Sequence, residues 1–85
     1  MTARYRARAG RHEILLIEIG EDKAGQPLFE VERNRRPLLH VAATEDYARA
    51  HIRRVRLPDE KVYLVDKSGH RTDITKDFQR GRQKA

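Results

Sequence analysis

Apolar residues along this chain fall into short runs of period two, broken by polar turns, with one stretch of helical period. From His12 to Ile19 the alternation is apolar on both sides: Ile14 and Leu16 on one, Leu15, Ile17 and Ile19 on the other. Strand side chains point alternately to opposite faces. A strand apolar on both faces belongs in the middle of a sheet, covered at least in part on each side. A polar connection, Gly20 to Pro27, contains Ala24-Gly25. Leu28 to Arg33 then predicts a half-buried strand, with Phe29 and Val31 opposed to Glu30 and Glu32. The two strands form a hairpin. Arg33-Asn34-Arg35-Arg36-Pro37 is a turn, because Asn tolerates positive φ and Pro37 keeps its predecessor out of helix. The apolar run Leu38 to Val41 predicts a third strand.

The helical pattern follows. Thr44 is placed to cap a helix from Glu45 to about Arg56, with Glu45 and Asp46 at the electropositive first turn and arginines toward the last. Ala48, His51, Ile52 and Val55 make the inward stripe, and Pro58 stops the helix. Lys61 to Val65 predicts a fourth strand. Asp66-Lys67-Ser68-Gly69 is a tight turn, and His70 to Ile74 a fifth strand closing a second hairpin. Thr75 is expected to cap a short last turn carrying Phe78. No internal repeat is evident. The expectation is an α+β fold: a small, mostly antiparallel sheet of four to five strands, order β-β-β-α-β-β, with one helix packed on one face. Residues 12–78 form the single domain, residues 1–11 a basic N-terminal arm and residues 79–85 a disordered basic C-terminal tail. The arm reads as a solvated tail, with an edge strand or a segment that orders on a partner as the alternative. The second sheet face lacks a cover unless an end of the chain or a second subunit supplies one, so a homodimer burying that face is expected.

Charge sharpens this outline. The chain has 85 residues and a formal net charge of +6. Residues 1–12 carry Arg4, Arg6, Arg8 and Arg11 and no acid, while Arg80, Arg82 and Lys84 charge the other end. The first hairpin is acidic. This is a mixed-charge domain with basic appendages rather than a chain basic throughout. Cysteine is absent, which excludes disulfides and thiolate metal sites. The longest apolar run, Ile14 to Ile17, is far short of the roughly 18–20 residues that span a bilayer, so no membrane association is expected. The N-terminal arginines precede no apolar signal region. A cytoplasmic location is expected.

Candidate chemistry is sparse. His12, His40, His51 and His70 make no His-x3-His pair, so no metal or other cofactor is expected. Ser68 and His70 lie near Asp66 and Asp73, but neighbours in a tight turn lack the convergent geometry of a catalytic triad. Glu13, Glu18, Glu30 and Glu32 alternate along strands, the pattern of a solvated sheet rather than an acid–base pair in a cleft. The five glycines form no phosphate loop. No enzymatic activity is expected, and no motif is specific enough to name a family.

What remains is arginine. Arg49, Arg53 and Arg56 lie at i, i+4 and i+7 on the helix, Arg33, Arg35 and Arg36 crowd the turn, and Arg4, Arg6, Arg8 and Arg11 charge the arm. Guanidinium groups pair bidentately with phosphate, and basic segments gain affinity by counterion release. These ten arginines are the candidate binding residues. The expected function is a non-catalytic basic module that contacts nucleic-acid phosphates non-specifically. The alternative is a protein-interaction module, an adaptor, inhibitor or homodimer that docks on an acidic or sheet-edge surface.

Overall fold

The computed structural model describes residues 13–79. The basic arm and all but the first residue of the tail, with Arg4, Arg6, Arg8 and Arg11, lie outside the described residues. Six strands, one α-helix and one 3-10 turn follow in order: β1 (Glu13–Glu21), β2 (Pro27–Arg33), β3 (Arg36–Pro37), β4 (Ala43–Thr44), α1 (Glu45–Val55), β5 (Lys61–Val65), β6 (Arg71–Asp73) and the 3-10 turn Thr75–Phe78. The fold is the expected small α+β arrangement, with one more strand than foreseen.

Strand β1 lies in the centre. Its neighbours are β2, antiparallel, and β5, parallel, and the sheet runs β3-β2-β1-β5-β6 with β4 also on β2. The doubly apolar pattern of β1 is thereby explained. Ile14 and Leu16 are fully buried beneath Ala48 and Ile52 of α1, together with Phe29, Val31, Val62 and Phe78. Leu15 and Ile17 face the other way and are half-buried. The register shifts between Glu18 and Gly20, so Ile19 is the extra residue of a bulge and stands 45% exposed.

Residues 38–42 form no strand. The outer edge of β2 is instead taken at one end by β3 (Glu32 opposite Pro37) and at the other by β4 (Phe29 opposite Ala43), and the segment between them stands off as a loop. The amides of Leu38 and Leu39 both point at the Val31 carbonyl, at 2.7 and 3.4 Å. Both leucines pack against the core. Two successive amides directed at one carbonyl break the alternation that a strand requires, which is why the apolar run misleads.

Thr44 caps α1, its hydroxyl accepting the Tyr47 amide at 3.3 Å. Within the expected stripe Ala48 and Ile52 are buried, while His51 and Val55 are half-buried at its margin. Thr75 does not cap the last turn: Ile74 holds that position, and the Thr75 hydroxyl accepts the Val62 amide at 3.0 Å. That hydroxyl completes the strand β5 where β6 ends.

A repeat too short to stand out in the sequence shapes one end of the sheet. Asp22-Lys23-Ala24-Gly25 and Asp66-Lys67-Ser68-Gly69 close the β1–β2 and β5–β6 hairpins in the same way. In each, Asp Oδ1 accepts the amides two and four residues on, and the glycine, at φ 85° or 91°, donates to the Asp carbonyl. Short polar side chains that bond their own backbone favour such turns, and glycine supplies the positive φ.

Candidate binding surfaces

The arginines foreseen as binding residues divide sharply once folded. Arg33, on β2, forms a two-pronged ion pair with Glu60: Nε lies 2.7 Å from Oε2 and Nη2 2.8 Å from Oε1. The same Nη2 donates to the Val55 carbonyl at the end of α1 (2.9 Å). Glu60 is fully buried and also accepts the Leu57 amide at 2.8 Å. Every oxygen of this buried carboxylate is matched, as burial of a charge demands. Sequence reasoning passed over Glu60, since a lone acid after a proline carries no signal of burial.

Arg49 and Arg56 are likewise engaged. Arg49 bridges Glu45 (2.8 Å) and Asp77 (3.1 Å). Burial pushes its guanidinium down, but the hydrogen bonds to Glu45 and Asp77 outweigh that and hold its pKa above the ordinary value. Arg56 donates to the carbonyls of Glu60 (2.9 Å), Phe78 and Pro58 (both 3.3 Å). Between them the buried Phe78 ring lies 5.7 Å from Arg49 and 5.4 Å from the exposed Arg53. The i, i+4, i+7 line of the helix is thus chiefly a seam that fastens the 3-10 turn.

Arg35, Arg36 and Arg53 are exposed and make no ion pair among the described residues. Asn34 and Arg35 form a two-residue hairpin loop with φ of 51° and 69°, the positive pair that marks a type I′ turn. Asn is suited to that geometry. Arginine is not: the position favours glycine, and a side chain there costs about 1–2 kcal/mol. The Arg33 side chain touches the last turn of α1, so this hairpin tip and Arg53 belong to the same end of the molecule.

Histidine and serine have local roles. His51 Nε2 lies 3.0 Å from the Leu38 carbonyl, tying the 38–42 loop to the helix. The Ser68 hydroxyl donates to Asp66 at 2.7 Å inside its own turn. Among the described residues no three His, Cys, Asp or Glu come together as a metal site would require, and no helix there is long and apolar enough to cross a membrane.

No protein-family model, no curated protein and no solved structure matches this chain.

A second surface lies on the sheet itself. The helix and the 3-10 turn both pack on the face of Ile14 and Leu16. The opposite face carries Leu15, Ile17, Tyr63 and Val65 at its centre. By register it also carries four carboxylates, Glu13, Glu30, Glu32 and Asp73, against two cations, Lys61 and Arg71. Arg71 lies 4.6 Å over the Tyr63 ring and reaches Glu13 at 3.3 Å. Glu30 and Glu32 make no ion pair among the described residues. They border a cavity of about 300 Å³ between β2 and the stand-off loop, lined also by Pro37, Leu39, His40 and Val41. Val41 is 65% exposed.

Proposed function

We propose that the chain is a small non-catalytic binding module that contacts the phosphates of a nucleic acid through arginines, without reading sequence. One observation carries this reading. The β2–β3 hairpin holds an exposed arginine, Arg35, at φ 69°, where glycine would fold at lower cost, with the exposed Arg36 next to it on β3. Strain of this kind accumulates where function needs a side chain in one place. Of the ten candidates, Arg35, Arg36 and Arg53 are the contacts the folded body offers, and Arg4, Arg6, Arg8 and Arg11 add charge beside it. The test is fluorescence anisotropy of labelled 20-nucleotide duplex and single-stranded DNA at low salt. The full chain is expected to bind both, and Arg35→Gln/Arg36→Gln/Arg53→Gln to weaken binding about tenfold or more. Absence of binding by the unaltered chain would sink the reading.

A second reading, docking of a protein, is favoured by the open sheet face. That face is net negative, so it suits a basic segment better than an acidic partner or the same face of a second copy. Like charges set opposite one another destabilise a contact.

A further inference from the structure

We infer that the cavity beside β2 is the seat of the chain's own arginine-rich N-terminal segment, residues 4–8, whose guanidiniums pair with Glu30 and Glu32. Four observations converge on that occupant. First, Glu30 and Glu32 stand two residues apart on one strand, and so repeat at about 6.6–6.8 Å. Arg4, Arg6 and Arg8 have the same two-residue spacing, so an extended segment presents guanidiniums at the same repeat. Second, both carboxylates lack an ion pair among the described residues, on a sheet face where carboxylates outnumber cations four to two. Third, beside His40 the cavity wall is mainly apolar, with Pro37, Leu39 and Val41, and Val41 is largely exposed. An arginine stem has an apolar body and a charged tip, and fits a pocket with an apolar wall and an acidic rim. A volume of about 300 Å³ is at the lower end of ligand pockets.

The fourth is reach. The segment joins the sheet at Glu13, at the start of the central strand, and Leu15 lies directly opposite Glu32 on the neighbouring strand. Adjacent strands are about 4.8 Å apart. The five residues from Glu13 back to Arg8 span up to about 17 Å when extended, enough to reverse and cross one strand. Gly10 lies within that stretch, and glycine reverses a chain at least cost. A tether this short holds the segment at an effective concentration of about millimolar, so weak ion pairs suffice. The same arginines are those offered to phosphate, and the seat is therefore an intramolecular competitor for a polyanion: nucleic acid must displace Glu30 and Glu32 to gain the segment. The seat itself does not rest on the nucleic-acid reading.

The experiment compares two full-length chains, the unaltered one and Arg4→Gln/Arg6→Gln/Arg8→Gln. Amide NMR spectra are expected to differ at Glu30–Glu32 and Leu39–Ala42 and not at the Asp66–Gly69 turn. A synthetic peptide of residues 1–11 should bind the neutralised chain at least tenfold more tightly than the unaltered one, whose seat is filled. Adding Glu30→Gln/Glu32→Gln to the neutralised chain should abolish that binding. Identical spectra at Glu30–Glu32 overturn the proposal. So does a difference that vanishes on dilution, which would place the segment of a second copy in the cavity. In a parallel titration with 20-nucleotide DNA, Glu30→Gln/Glu32→Gln alone should raise affinity several-fold. If the unaltered chain binds no DNA, the function proposed above fails, while the spectra and peptide still decide the seat.

Discussion

Two arginines two residues apart, Arg33 and Arg35, show how differently one side chain is used in this fold. Arg33 is structural: its removal strands a fully buried carboxylate. Breaking a buried pair from one side costs about 3–5 kcal/mol, so Arg33→Leu should lower the urea midpoint severely. Arg33→Met with Glu60→Leu should recover most of the loss, because no charge is left unpaired, and the orphaned Leu57 amide and Val55 carbonyl account for the remainder. Arg35 is the reverse case. Arg35→Gly should stabilise the protein by about 0.5–1 kcal/mol, since relief of the positive-φ strain exceeds the entropy that glycine adds to the unfolded chain. The same variant should bind DNA less well. A destabilised Arg35→Gly protein, measured by thermal or urea unfolding, would contradict the strain argument. The sequence located both residues in a turn. It held no sign that the first pairs with Glu60, 27 positions away, because that partnership exists only once β2 and the end of α1 lie side by side.

At the scale of elements, local chemistry was legible and long-range pairing was not. The cap at Thr44 and the Asp66–Gly69 turn each depend on residues within four positions, and both formed as the sequence indicated. The run 38–41 was misread because its fate depends on which edge of β2 is free. The turns also give a pH dependence. The Asp66 carboxyl is held below its ordinary value near 3.8, first by the Ser68 hydroxyl and then by the His70 amide. Asp73 is lowered likewise by the Thr75 hydroxyl and then its amide. A carboxyl with a lowered folded pKa contributes stability in full above its unfolded value and loses it as pH falls through the folded value. The unfolding midpoint should therefore hold between about pH 7 and 5 and fall below about pH 4. Asp66→Asn with Asp73→Asn should flatten that fall, since an amide oxygen still accepts these bonds but does not titrate.

Over the whole molecule, the excess positive charge belongs to residues outside the described 13–79. Residues 13–79 contain 12 Lys and Arg against 13 Asp and Glu, a net −1, so the +6 of the chain comes from its two ends. If all seven cations of the ends met phosphates of B-DNA, they would contribute a slope of log K against log salt of up to about −6, and Arg35, Arg36 and Arg53 up to about −3. Binding measured between 50 and 200 mM salt should show a steep slope for the full chain. Replacing the seven end cations with Gln should leave about −3 or less. A steep slope surviving that replacement would move the main polyanion site from the two ends to residues 13–79.

The sequence by itself determined β1, β2, β5 and β6, the helix, its cap, the tight turns and the charge of the two ends, because each follows from side-chain period, from composition or from bonds between near neighbours. Tertiary structure alone decided the rest. It placed β1 between an antiparallel and a parallel neighbour, buried Glu60, and turned Arg33, Arg49 and Arg56 inward. It also left Glu30 and Glu32 beside a cavity on an open face. These outcomes depend on which distant segments share an edge or a face, and the pattern along one strand cannot specify the strand beside it.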